Sequence, residues 1–435
     1  MAARHVLAVL LASLSALLHA TLQLLRRSLG CASEPFFQMF LVKLFGQTSK
    51  NVQIRSSQLL YWSFFLHGAG PCSPPDVEYA HRAALRKHAV WSSIAVDLLL
   101  GNALGLLLLV HREDICLWAP RVSRSITDNL LRSGSVWLMG VPAGFKLNTE
   151  LAELFGLVSL NAVQIWSTLW FYVGFLFRPS LVGLALSGML LGATIPAALC
   201  IDLLKLATLH VTALHWLISF LYSRQIWTLT SLWRLFRGQK WNPLRLRLDS
   251  FDYSVEQHVV GSLLFTPILL LLPTTSVFYI FFTIASSSIS LLCITLEVAI
   301  AVLHATPCAE VFLWTVSRRR FPSGLWLDHE TLDHRREEEE EDDDSTEQQL
   351  VSSLRSNYAK IGQILGPRYR NIFSGASPSS GSSSIYGVLS GQRVPSTLGV
   401  GLPAAMPWTS VRSGEYWRLC RSAVLAGGPD RRREL

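Results

Sequence analysis

Apolar residues in this chain come in long blocks. Seven runs stand out, from His5 to Leu25, Trp91 to His111, Leu151 to Phe177, Leu181 to Ile201, Leu206 to Tyr222, Val259 to Phe282 and Thr283 to Leu303. Runs of about 20 residues, as helices rising about 1.5 Å per residue, cover about 30 Å of hydrocarbon. The pattern predicts an all-α fold, a polytopic transmembrane helical bundle of about seven spans over residues 1–317. The first run has a secretory signal as its alternative reading, but Arg26 and Arg27 follow it and no small-residue cleavage site does. Pro267 and Pro273 interrupt the sixth run and predict kinks there.

Past residue 317 the blocks stop. Residues 318–435 carry eight consecutive acids, Glu337 to Asp344, then the stretch SGASPSSGSSS and a terminal RRREL. Such composition buries too little apolar area to offset ordering entropy, so a disordered cytosolic tail is expected. The stretch LVSSLRSNYAKIGQIL reads as a short amphipathic helix within it.

Polar groups inside the runs are costly in hydrocarbon and therefore informative. Asp97 and Asn102 sit in the second run and Glu297 in the last. Asp202 and Lys205, three residues apart at a run junction, are placed to form a local ion pair. Packing between helices is the plainer role for each, ahead of substrate binding. Gly183, Ser187, Gly188, Gly192 and Ala193 read as a close-packing face. His210 and His215 are separated by about 140° on a helix, which disfavours a shared metal ion.

Composition agrees with the blocks. Mean hydropathy is +0.34, half the residues are hydrophobic and 16% are charged, against about a quarter in soluble chains. The net charge of +8 flanks apolar runs, which favours membrane orientation over nucleic acid. With the N-terminus in the lumen, Arg26 to Lys87, Arg224 to Arg247 and Arg318 to Arg320 face the cytosol. The segment from His111 to Glu150 disagrees: it falls in the lumen yet carries Arg112, Arg121, Arg124, Arg132 and Lys146. A further crossing or re-entrant segment around Val136 to Phe145 would explain it. The seven cysteines show no paired spacing that would imply disulfides or zinc.

The most informative stretch is 227–282. Leu229, Leu232, Trp233 and Phe236 recur at helical spacing, while Arg234, Arg237 and Lys240 point largely elsewhere. Trp227, Trp233 and Trp241 suit the headgroup zone, being apolar rings with a wet N–H. A connector with Arg245, Arg247 and Asp249 leads into the sixth run. The candidate site is therefore a cationic, tryptophan-flanked ledge of Trp233, Arg234, Phe236, Arg237, Lys240 and Trp241, with Arg245, Arg247 and Asp249 fixing the connector. It would hold the phosphate of an anionic lipid, dock a partner subunit, or simply be a solvated interfacial face. No catalytic residue and no cofactor are expected. There is no GxGxxG, Walker, GxSxG or HExxH pattern, and the one D-x-D, Asp342 to Asp344, lies within the acidic run.

The strings SLWRLFRGQKWN, LRLRLDS, GSLLFT and LLLLPTT, with WLMGVPAGFKLN (Trp137 to Asn148) and VDLLLGNALGLLLL (Val96 to Leu109), resemble the PIG-Q family. Its members are the Q subunit of the complex that begins glycosylphosphatidylinositol (GPI) anchor synthesis, and the likeness covers roughly residues 5 to 310. The resemblance implies a non-catalytic, multi-pass subunit in the endoplasmic-reticulum membrane. The complex transfers N-acetylglucosamine from UDP-N-acetylglucosamine to phosphatidylinositol. Its implied partners are the catalytic subunit PIG-A with PIG-C, PIG-H and PIG-P. Two rival readings are a transporter or channel using Asp97, Glu297 and the histidines, and a lipid transferase that acts alone.

Overall fold

The structure is a computed structural model that describes residues 2–30, 44–60, 77–140, 142–144, 147–318, 321–331, 350–374, 385–391 and 412–426. Its longest element is a 51-residue helix, Val255–Ala305. The sixth and seventh runs, expected as separate spans, are its two halves. Thr283, at the junction, meets His215 at 3.2 Å, and further on Ser288 and Thr295 bond back to the Ile284 and Leu291 carbonyls of the same helix. A capping box of Ser254 and Gln257 starts it. At about 1.5 Å per residue it is about 75 Å long, far more than one hydrocarbon thickness.

Upstream of it the helices are α1 (Ala2–Gly30), α2 (Gly46–Leu60), α3 (Val77–Val110), α4 (Arg112–Ser125) and, after a π-helical stretch Ile126–Arg132, α5 (Ser133–Met139). Then come α6 (Thr149–Val173), α7 (Phe177–Leu191), α8 (Thr194–Ala207) and α9 (Leu209–Phe236), which makes Val255–Ala305 α10. Among the described residues three stretches are long and apolar enough to cross a membrane, His88–Val110, Thr149–Leu191 and Val255–Ala305, or four if α8 and α9, bent by 57°, count as one span. That is fewer than the seven expected. The third run and the first half of the fourth form one rod, and Gly192, with φ of 96°, breaks the fourth run at a place the hydropathy does not mark. Alternating runs across seven spans no longer gives the orientation of each loop. The discordant segment from residue 112 to 139 is helical throughout and is not among the long apolar stretches.

Buried side chains gather where α5, α6, α9 and α10 meet. Leu138, Phe155, Leu214, Ile218, Phe278, Tyr279 and Phe282 form that core. α3 lies along α7 through glycines: a Cβ on Gly101 would strike the Gly188 carbonyl and Gly192, and one on Gly105 would lie 2.7 Å from the Ala185 carbonyl. Gly188 and Gly192 thus belong to the expected close-packing face, whereas Gly183 faces open space.

The fold is not purely helical. β1 (Gln239–Asn242) pairs antiparallel with β2 (Arg247–Ser250), and β3 (Pro322–Thr331) with β4 (Leu350–Tyr358). β3 and β4 lie in the region expected to be disordered. Beyond α11 (Cys308–Val316) that region also returns to the bundle as α12 (Ile361–Ser374), α13 (Ile385–Leu389) and α14 (Ser413–Ala426). Arg368 pairs with Glu310 at 2.6 Å and Ile372 packs on Ala301. Tyr279 and Ser219 each donate at 2.6 Å, to the Val388 and Gly391 carbonyls. On α14, Tyr416 stacks on His19 of α1 and donates to the Leu60 carbonyl at 2.7 Å. Overall composition hides these anchors because each needs only one or two apolar residues at helical spacing, such as Tyr416 and Cys420. The acidic run, the Ser/Gly stretch from 375 and RRREL fall outside the described residues.

Gly101→Ala should destabilise the chain by about 1–3 kcal/mol, since the added methyl meets backbone that cannot yield. Gly183→Ala should not. Thermal aggregation midpoints in detergent, read by fluorescence size exclusion, will separate them.

Candidate functional site

The ledge begins where α9 ends. Leu229 is buried and Phe236 meets Phe265 edge-on at 5.4 Å, yet Trp233 is 56% exposed. The apolar positions expected on one helix face thus divide between the α10 contact and the outside. Gly238 stops the helix with φ of 60°, a conformation glycine adopts without a Cβ clash. Its amide donates to the Leu235 carbonyl and its own carbonyl accepts from Phe251 at 2.9 Å. Lys240 and Trp241 therefore sit on β1 and do not extend the helix, and the expected connector is a β-hairpin.

Register gives that hairpin two unlike faces. Lys240 lies opposite Asp249 and Asn242 opposite Arg247, while Trp241 lies opposite Leu248. Because side chains alternate across a strand, one face carries Lys240, Asn242, Arg247 and Asp249, and the other carries Trp241 and Leu248 beside Gln239 and Ser250. Asp249 accepts from Arg247 at 2.7 Å and Asn242 at 2.8 Å. The Asn242 side chain also accepts from the Leu244 and Arg245 amides, which tightens the Asn-Pro turn. Lys240 sits over the Phe251 ring at 4.7 Å. Arg247 and Asp249 thus brace the hairpin. Arg234, Arg237 and Arg245 pair with no carboxylate among the described residues.

A second polar assembly was not legible in the sequence. Helix α2 is polar, yet Gln47, Asn51, Arg55, Ser57 and Gln58 are buried. Arg55 Nη2 lies 2.9 Å from Asp97 Oδ2, an ion pair without an aligned hydrogen bond. The other guanidinium nitrogens donate to Gln58 at 2.7 Å and Thr194 at 3.3 Å. Asp97 also accepts from the Thr194 amide and hydroxyl, at 3.1 and 2.9 Å. Burial pulls the Arg55 guanidinium below the ordinary arginine range, and the Asp97 charge acts against that pull. Gly192 leaves room for this carboxylate, since a Cβ there would collide with Asp97 Oδ2. The signal available in the sequence was the spacing of Gln47, Asn51, Arg55 and Gln58 along one helix face.

Asp202 does not pair with Lys205. It caps α2, accepting from the Thr48 amide and hydroxyl at 2.8 Å each, because unpaired amides at a helix start attract a carboxylate. His304 meets Asn51 at 2.9 Å. Glu297 is buried and engaged inside the bundle. Asn102 donates to the Leu98 carbonyl. His215 contacts Thr283 at 3.2 Å, whereas His210 stacks on Trp166. Two of the motif strings also meet: the Asn148 amide donates to the Thr274 hydroxyl at 3.0 Å, and Leu138 joins the α10 core.

Fold and site together define a helical membrane protein whose intrabundle ionisable groups largely bind helix to helix and whose α9–α10 connection is a hairpin bearing exposed cations. The family model described as N-acetylglucosaminyl transferase component (Gpi1) matches residues 49–323, and the chain belongs to that family. It is 36% identical over 203 residues to a Mus musculus protein named phosphatidylinositol N-acetylglucosaminyltransferase subunit Q, covering 44% of this chain and 34% of the mouse one. To the Homo sapiens protein of the same name it is 40% identical over 148 residues, 34% of this chain and 19% of the human one. A Schizosaccharomyces pombe protein named N-acetylglucosaminyl-phosphatidylinositol biosynthetic protein gpi1 is 30% identical over 232 residues, 53% of this chain and 35% of the yeast one. The chain thus spans well under half the length of these relatives. No solved structure matches.

Asp97→Ala leaves Arg55 as a buried unpaired cation and should cost about 3–5 kcal/mol. Arg55→Met with Asp97→Leu should recover much of that loss. Detergent thermal midpoints across the cycle will test it, and equal losses in the single and double variants would deny the pair its role.

Proposed function

We propose that this chain is a non-catalytic, multi-pass subunit of the complex that transfers N-acetylglucosamine from UDP-N-acetylglucosamine to phosphatidylinositol, the first step of GPI-anchor biosynthesis. It works in the endoplasmic-reticulum membrane and assembles with PIG-A, the catalytic subunit of the family's complex, and with PIG-C, PIG-H and PIG-P. What carries this reading is the division of polar groups within a chain of this family. Asp97, Arg55 and Asp202 are spent on joining helices, while Trp233, Arg237, Lys240, Trp241 and Arg245 stay at the surface at one end of the α9/α10 pair.

Such a division suits a scaffold. Helix-joining groups set the spacing of the spans, and the ledge offers positive charge to whatever docks. Arg234 and Phe236 are half-buried and hold the ledge to α10, while Arg247 and Asp249 keep the hairpin folded. The cytosolic side is favoured for the ledge by its positive charge. The acceptor lipid's phosphate and an acidic partner surface are the two chemistries it fits.

The test is charge reversal in the whole assembly. Arg234→Glu with Arg237→Glu should lower recovery of the copurifying subunits, or microsomal transfer of N-acetylglucosamine to phosphatidylinositol, by about thirtyfold with expression unchanged, taking about 1 kcal/mol per basic residue lost. Unchanged recovery and activity would reject the ledge. Product formed by the purified chain alone from UDP-N-acetylglucosamine and phosphatidylinositol would reject the non-catalytic role.

A further inference from the structure

Four large apolar side chains of the β1–β2 hairpin and its turn stand exposed among the described residues. Trp241 is 47% exposed, Leu248 44%, Leu246 75% and Leu244 94%. A two-stranded hairpin is marginal in water, and four large apolar groups exposed on one so small make an unfavourable aqueous surface. Leu246 is also held at φ of 50°, the one non-glycine residue with positive φ among those described. That conformation is uncommon for a residue with a Cβ and invites a functional explanation.

What lies beside the hairpin identifies the occupant. It emerges at the shared end of α9 and α10, and the first turns of α10 expose Val255, Val259, Val260, Leu263 and Leu264. That outward apolar surface, on a helix long enough to cross a membrane, runs up to the foot of the hairpin. Next to the apolar edge stand Arg237 and Arg245, both exposed and unpaired with any described carboxylate. Leucine and tryptophan beside unpaired arginine, at the level where a span leaves hydrocarbon, match an interface of acyl chains and anionic headgroups.

We propose that the β1–β2 hairpin is a wedge that inserts Trp241, Leu244, Leu246 and Leu248 into the bilayer surface and recruits anionic phospholipid through Arg237 and Arg245. This rests on the ledge reading above and names the lipid as its occupant. Arg237 and Arg245 would hold the phosphate while the leucines enter the acyl boundary.

The test uses the full chain in nanodiscs with a photoreactive diazirine residue replacing Leu246. Three compositions are compared: phosphatidylcholine alone, and phosphatidylcholine equimolar with phosphatidylinositol or with phosphatidylserine. Phospholipid adducts are expected, enriched in the anionic lipid. Arg237→Glu with Arg245→Glu should lower the anionic adducts about thirtyfold while phosphatidylcholine adducts persist. Enrichment with phosphatidylinositol alone would assign headgroup selectivity, and enrichment with both would assign charge. Only water-quenched product, or adducts to a copurifying polypeptide in microsomes, would overturn the wedge. Copurification of transferase subunits, measured on the same microsomes, separates the readings. Subunits without lipid adducts defeat the wedge alone, and lipid adducts without subunits defeat the complex alone.

Discussion

The contact between Arg55 and Asp97 is the constraint around which this bundle closes. Both side chains are almost fully buried, and a lone charge in such a place would cost several kcal/mol. The pair persists because its remaining valences are met: Thr194 gives Asp97 an amide and a hydroxyl, and Gln58 takes a guanidinium proton. One contact therefore ties α2, α3 and the start of α8. Gly192 makes it geometrically available, since any side chain there would occupy the carboxylate's place. The same approach brings Gly101 and Gly188 into backbone contact, so electrostatic and steric requirements select one arrangement of α3 and α7.

Around that centre the bundle is secured from outside. Asp202 caps the start of α2 and Tyr416 donates to the carbonyl of Leu60 at its end. Tail segments close over α10 at Ala301 and Tyr279 and over α11 at Glu310. Each attachment is a small set of hydrogen bonds plus one or two buried side chains, the scale at which local opening is cheaper than global unfolding. The ledge carries no such cover. It projects beyond the α9/α10 junction, braced by Phe236 on Phe265 and by the Asn242, Arg247 and Asp249 cluster.

That contrast supports the proposed division of labour. Charges inside the bundle are consumed by structure, whereas Arg234, Arg237 and Arg245 of the ledge pair with no carboxylate among the described residues. A transporter reading loses its motive when Asp97 is locked to Arg55 and Asp202 to a helix start. The histidines that prompted it meet Trp166, Tyr279 and Thr283. Relatives of this chain are named as subunits of phosphatidylinositol N-acetylglucosaminyltransferase, and a basic, aromatic hairpin is compatible with the proposed subunit role.

Sequence by itself determined the helical, membrane-like character, because blocks of apolar residues have few other low-energy arrangements. It also determined the family, through ordered strings such as SLWRLFRGQKWN, and the cationic, tryptophan-rich makeup of residues 227–250. Tertiary structure decided where helices stop. Hydropathy cannot see that Gly192 takes a left-handed φ, that Gly238 turns the chain into a hairpin, or that the junction at Phe282 and Thr283 is no boundary at all. It decided, too, that polar α2 belongs inside and that much of the tail is bound. Both outcomes depend on partners distant in sequence, Asp97 for Arg55 and Leu60 for Tyr416. Local pattern reports how each residue pays for leaving water only on average, whereas the folded chain supplies the specific counter-charge, cap or cleft that makes burial favourable.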